Sequence, residues 1–150
     1  VLVEPQQADC LYQSALSGHA AHASGSVDSV MAGLACGDTS PLAWRFLKET
    51  ADDFVTIPDQ AAIAAMSLLA RGSARDIPVL AGESGAAGLA GLLQVARHAG
   101  QRVALGLGAQ SWVLLVNTEG ATAPDLYREL VRESAAAVTA AQARWLGAAT

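Results

Sequence analysis

One hundred and fifty residues, 52% apolar and only 15% charged, make one domain's worth of chain with enough material for a buried core, and they exclude a disordered polypeptide. A formal charge of −5 argues against a general phosphate-backbone binder, so nucleic acid is not an expected partner, and two cysteines exclude a disulfide scaffold. The mean hydropathy of +0.32 comes largely from alanine and glycine, and the longest apolar candidate, residues 61–70, falls short of the ~20 residues that span a bilayer, so no membrane association is expected.

Val1-Leu-Val3 reads as a short buried strand closed by Glu4-Pro5. A chain that opens in mid-strand, without an initiator Met, signal peptide or transit peptide, is expected to be part of something longer. Residues 8–16 suit a helix with Leu11, Ala15 and Leu16 inward, followed by a Gly/Ser/His loop to Ser26 and an ambiguous stretch to Leu34. Ser40-Pro41 is an N-cap followed by proline at the first helical position, which starts a helix to about Ala51 with Leu42, Phe46 and Leu47 inward. Residues 53–57 read as a strand and residues 59–71 as a helix that ends at Gly72-Ser73. Residues 77–80 read as a short strand leading into the tight turn Ala81-Gly82-Glu83-Ser84-Gly85-Ala86.

A helix over residues 88–99 carries Leu89, Leu92, Leu93 and Ala96 on one face, and Gly100 is its expected stop. Residues 102–107 are irregular or a poor strand, and residues 111–116 form the clearest strand of the chain. The polar turn Asn117-Thr118-Glu119-Gly120 closes that strand, and a last helix runs from the Thr122-Ala-Pro-Asp125 start to about Leu146. Alternating strands and helices predict a three-layer α/β domain, a largely parallel sheet flanked by helices, with no internal repeat or linker. Ligands of such sheets bind beyond the carboxyl ends of the strands, where Glu4-Pro5, Gly82 to Gly85 and Asn117 to Gly120 lie.

Several motifs have a plain structural explanation. Gly82-Glu83-Ser84-Gly85-Ala86 has the setting of a nucleophile elbow, but Ala86 stands where that motif has glycine, and Asp125 follows His98 instead of preceding it. A turn with Ser84 as N-cap, or one lining a ligand, explains it better. Gly106-Leu-Gly108 precedes a strand and lacks the third glycine of a dinucleotide fingerprint. His19-Ala-Ala-His22 lies in a Gly/Ser-rich loop with only Asp28 near, so no metal site is expected. Cys10 and Cys36 are too far apart for a CxxC pair, and unpaired thiols fit a cytoplasmic location. The small residues of Met31-Ala-Gly33-Leu-Ala-Cys36-Gly37 suit a packed turn or a segment lying against a flat ligand.

Four separated stretches carry a family resemblance in a constant order. Val3-Glu4-Pro5 with Asp9-Cys10-Leu11-Tyr12-Gln13-Ser14-Ala15 is similar to part of the diaminopropionate ammonia-lyases. So are Met31-Ala-Gly33-Leu-Ala-Cys36-Gly37, Gly82-Glu83-Ser84-Gly85-Ala86 and Leu115-Val-Asn117-Thr118-Glu119-Gly120. The resemblance implies a part of a fold-type II, tryptophan synthase β-like enzyme dependent on pyridoxal 5'-phosphate, catalysing α,β-elimination of 2,3-diaminopropionate to pyruvate and ammonia. It implies that a lysine forms a Schiff base with the cofactor and that Thr118, the hydroxyl residue after a late strand, bonds the pyridine nitrogen. Glu83, Ser84 and Gly85 would lie near the ring, and Gly33 with Leu34 toward the small amino-acid substrate.

The only lysine, Lys48, lies in a helix context unlike that of the cofactor lysine, and no run of glycines cradles a phosphate. The resemblance therefore implies that residues 1–150 are one C-terminal portion of a lyase, whose catalytic lysine lies upstream and whose parent is a homodimer. No catalytic residue is expected in this chain, which alone would be inactive and would expose an apolar surface prone to association. Ala65-Met66-Ser67, in place of Gly-Met-Arg, departs from the family pattern. The alternative is a non-catalytic α/β binding or interaction domain derived from such an enzyme.

Overall fold

The computed structural model describes residues 1–148. Two short strands, β1 (Leu2–Pro5) and β2 (Phe54–Ile57), pair in parallel with Leu2 opposite Phe54 and Pro5 opposite Ile57. Around this sheet lie α1 (Cys10–Ser17), α2 (Pro41–Thr50), α3 (Asp59–Arg71), α4 (Ala87–Arg97), α5 (Ala99–Ala104), α6 (Pro124–Val131) and α7 (Ala135–Ala148), with a 3-10 turn over Ala32–Leu34. The chain is thus an α/β structure with a parallel sheet flanked by helices. A parallel pair needs a crossover, and α1 and α2 supply it between β1 and β2.

The strongest local signals form as expected. Ser40 Oγ accepts the Ala43 N–H at 3.4 Å, with Pro41 at the first position of α2. Asp59 opens α3 and Arg71 closes it, each charge placed to favour the helix dipole. Glu4 turns inward from β1 and accepts the N–H groups of Leu11 at 3.0 Å and Tyr12 at 2.8 Å. It thereby satisfies two amides of α1's first turn that have no partner within the helix. Burial pushes the Glu4 carboxyl up from its ordinary value even though those N–H bonds pull it down. Next to it, the bonds that Asp9 accepts from Gln13 and from the Ser24 amide and hydroxyl outweigh burial and hold its carboxyl below the usual range.

The core is built from small residues more than from leucines. Ala62, Ala65 and Met66 of α3 cluster with Ala87 and Ala90 of α4, Ile57 of β2, Met31, and Tyr127 and Val131 of α6. Several expected inward faces are accordingly corrected. Helix α1 buries Cys10 and Ser14, while Leu16 is exposed; Ser14 Oγ donates to the Cys10 carbonyl at 2.7 Å. Helix α2 buries Trp44, which meets the Phe54 ring at 6.1 Å, and leaves Leu42 and Phe46 exposed. Helix α4 buries Ala87, Ala90, Gly91 and Val95, and its expected leucine face is only half-buried. Alanine allows α3 and α4 to approach closely, and that contact takes the inner position.

Four expected elements differ. Residues 77–80 pair with no strand: Pro78 has no N–H to donate, and the Val79 N–H goes to the Leu69 carbonyl at 2.8 Å. Residues 111–116 form no strand either, and Trp112 and Leu114 are 100% and 89% exposed. The helix expected to run to Ala99 breaks at His98, whose backbone is extended, and Gly100 lies inside α5, which occupies part of the expected poor strand. The expected last helix is two. Arg132 takes a left-handed conformation at φ 68°, and Ser134 Oγ then accepts the Ala137 N–H at 3.1 Å to start α7.

Candidate functional site

A cleft of about 500 Å³ lies between β1, α4 and residues 113–118. Leu2, Val3, Leu92, Leu115 and Val116 give it apolar walls, and Ser84 and Thr118 place two hydroxyl groups in its lining. Leu34, at the end of the 3-10 turn, contributes to the same cleft. Thr118 is exposed, and its hydroxyl makes no hydrogen bond to any described residue.

The Gly82–Ala86 turn is shaped by the loop that follows residue 116. Glu119 Oε2 accepts the N–H of Ser84 at 2.7 Å and of Gly85 at 3.2 Å, and the Glu119 carbonyl accepts the Gly82 N–H at 2.9 Å. Asn117 Nδ2 donates to the Leu80 carbonyl at 3.1 Å, and its Oδ1 accepts the Glu119 N–H at 3.3 Å. Both glycines are needed at this join. A Cβ on Gly82 would stand 2.7 Å from Glu119 Oε2, and one on Gly85 would stand 2.8 Å from the Glu119 carbonyl oxygen and press into the Asn117 amide. From the other side, the Gly33 N–H donates to Ser84 Oγ at 3.0 Å. The serine oxygen therefore accepts from the protein, and its own proton is free to donate.

Of the residues singled out by sequence, Gly33, Ser84 and Gly85 are thus brought together, with Thr118 sharing the cleft with Ser84. Glu83 points elsewhere: it is only 6% exposed, does not line the cleft, and lies close enough to Tyr127 to act on its charge. Burial, and then the Glu83 charge, push the Tyr127 phenol above its ordinary value. Glu83 Oε1 and the Tyr127 hydroxyl both lack a hydrogen-bond partner among the described residues. Sequence reasoning passed over the clamping role of Glu119 and Asn117. Its one available signal was two glycines flanking Glu83-Ser84, which leave room for another segment to come close.

The pyridoxal-phosphate dependent enzyme family matches residues 1–118, which include β1, the 3-10 turn, the Gly82–Ala86 turn and Thr118. The chain belongs to this family. Diaminopropionate ammonia-lyase of Escherichia coli (strain K12) is 38% identical over 142 residues, covering 92% of this chain and 35% of that protein. The enzyme of the same description from Salmonella typhimurium (strain LT2) is 37% identical over 137 residues, covering 87% and 34%. The crystal structure of the Escherichia coli enzyme in complex with an aminoacrylate–pyridoxal-phosphate azomethine reaction intermediate superposes with a TM-score of 0.74 at 38% identity, covering 86% of this chain and 33% of that one. Its selenomethionine holoenzyme gives a TM-score of 0.77 at 37% identity. The chain spans about a third of the length of the relatives it matches.

Pyridoxal phosphate is the cofactor of the family, and the cleft fits part of it. Apolar walls with two hydroxyls suit a flat heteroaromatic ring that carries a polar edge atom. The described residues offer the cleft no lysine. Lys48 sits in α2, half-exposed, with Nζ 3.6 Å from Glu49 Oε1. Among the described residues no group of His, Cys, Asp and Glu could hold a metal ion, and no helix is long and apolar enough to cross a membrane.

Proposed function

We propose that this chain is the C-terminal portion of a pyridoxal-phosphate-dependent carbon–nitrogen lyase that eliminates the β-amine of 2,3-diaminopropionate as ammonia, the resulting enamine taking up water to give pyruvate and a second ammonia. The observation that carries the reading is 38% identity to a diaminopropionate ammonia-lyase over 92% of the chain, including the turns around the cleft. When bound, pyridoxal phosphate supplies the electron sink for the pair left at the substrate's Cα. Thr118, whose hydroxyl is unpartnered, would hold the cofactor's pyridine nitrogen, and a neutral hydroxyl there would favour an unprotonated nitrogen, which suits elimination. Ser84, held by Gly33, offers a second donor from the same cleft. Leu34, Gly88 and Leu115, which line the cleft, would shield the ring from water. Gly85 keeps the turn tight beside Ser84, and Gly33, where a Cβ would meet Ser84 Oγ at 2.9 Å, lets the 3-10 turn approach that serine. Glu83, buried near Tyr127 and outside the cleft's lining, is given no contact with the ring.

On this reading the lysine and the phosphate cradle belong to residues outside these 150 and the chain alone is inactive, which the position of Lys48 in α2, outside the cleft's lining, supports. The parent is a cytoplasmic homodimer of amino-acid catabolism. Intact mass of the natural protein after pyridoxal phosphate and borohydride treatment tests this. The expected result is one reduced cofactor adduct on a chain much heavier than 15.3 kDa. A natural protein of 15.3 kDa without an adduct replaces this reading with a non-catalytic binding domain.

A further inference from the structure

The two hydroxyl-bearing segments of the cleft are joined by one charged side chain. Ser84 and Glu119 lie 35 positions apart, and the Glu119 carboxylate accepts both the Ser84 and the Gly85 N–H. Its backbone carbonyl takes the Gly82 N–H, so this one residue receives three of the turn's amides. A carboxylate bound to backbone N–H groups makes charge-assisted bonds, which are stronger than those to a neutral acceptor. The turn leads directly into α4, so the negative charge also lies near the positive end of that helix. Thr118 is covalently next to Glu119, and Ser84 is fixed on its other side by Gly33. Whatever holds Glu119 in place therefore sets the spacing between the Ser84 and Thr118 hydroxyls.

We propose that Glu119 is a positioning residue for the cofactor ring: its carboxylate, clamped on the Ser84 and Gly85 amides, sets where the Thr118 and Ser84 hydroxyls meet the ring. This rests on the reading of the cleft as the cofactor's. Glu4 provides an internal control, because it too is a carboxylate accepting two successive backbone amides, but its partners Leu11 and Tyr12 do not line the cleft, whereas Glu119's partner Ser84 and its neighbour Thr118 do. A purely structural role predicts the same consequences for both.

The test uses the full natural protein that contains this chain, with Glu119→Gln, Glu119→Ala and Glu4→Gln variants. Pyridoxal phosphate is titrated by absorbance and fluorescence, and thermal unfolding is followed in parallel. Glu119→Ala should weaken cofactor retention by about tenfold, the equivalent of one lost charge-assisted bond, and should shift the bound cofactor's absorption band. Glu119→Gln, which keeps an acceptor oxygen, should fall between wild type and alanine. Glu4→Gln should move the melting temperature and leave both cofactor readouts unchanged. If Glu119→Ala does not fold, the glutamine variant carries the same comparison. Wild-type cofactor binding with unaltered affinity and spectrum in the Glu119 variants overturns the positioning role and leaves the cofactor reading intact. Equal cofactor changes in Glu4→Gln also overturn it. A wild-type protein that binds no pyridoxal phosphate overturns the cofactor reading itself, and the positioning role with it.

Discussion

Val1-Leu-Val3 and residues 111–116 are both apolar, β-prone runs that end in a polar turn, yet only the first forms a paired strand. In β1, Leu2 and Val3 lie opposite Phe54 and Val55, and Glu4 anchors the strand's end to α1. Residues 111–116 have no strand beside them, and Trp112, Leu114 and Val116 stay largely exposed. The difference teaches that apolar β-branched composition specifies a preference for extended backbone, whereas a ladder also needs a neighbour with free N–H and carbonyl groups. Directly after residue 116 the same loop is tightly held, because Asn117 bonds the Leu80 carbonyl and Glu119 the amides of the Gly82–Ala86 turn.

The sharpest way to break the comparison is to remove apolar volume from each side. Ile57, fully buried opposite Pro5, should cost about 2–5 kcal/mol as Ile57→Ala, read from denaturant unfolding. Leu114→Ala, on the exposed run, should cost less than about 0.5 kcal/mol in the same experiment. A comparable loss at both positions would show that residues 111–116 are packed in solution.

Next in size is the join between the turn and the late loop. Gly85→Ala should destabilise by about 1–3 kcal/mol, since its Cβ would press into Asn117 and the Glu119 carbonyl. Gly108→Ala, where a Cβ meets nothing within 4 Å, should stay within about 0.5 kcal/mol of wild type.

The exposed run should also announce itself without any loss of stability. The chain alone should self-associate in sedimentation velocity at rising concentration, and a Trp112→Ser, Leu114→Ser double variant should restore the monomer. A wild-type monomer at high concentration contradicts this.

The smallest effects come from the two carboxylates beside α1, and they have opposite signs. Glu4 has a raised folded-state value, so its contribution is present below the ordinary 4.5 and is lost as pH rises through the folded value. Asp9 has a lowered value, so its contribution is present above the ordinary 3.8 and is lost as pH falls through the folded value. Urea midpoints measured across the acid range should therefore lose the first slope in Glu4→Gln and the second in Asp9→Asn.

Much of this was legible because the deciding interactions are local. Ser40-Pro41 set the start of α2, and Asp59 and Arg71 mark both ends of α3, where proline geometry, a capping oxygen and the helix dipole act within one turn. The family resemblance pointed to Ser84 and Thr118, and the fold places both in one cleft. The break between α6 and α7 was also written locally, in Ser134 as a cap, but continuous alanine-rich helix propensity masks such a signal.

What the tertiary structure alone decided is which face of each helix turns inward and which segments meet. Leucine spacing on α4 pointed one way, but the alanines won the core position because they let α3 and α4 approach closely. No local pattern relates Glu119 to Ser84 and Gly85, 35 and 34 positions away, or buries Glu83 outside the cleft's lining. Backbone preference and capping act over a few neighbouring residues and can be read in order along the chain. Close packing and the satisfaction of buried amides depend on which distant groups arrive at the same place, and only the folded chain determines that.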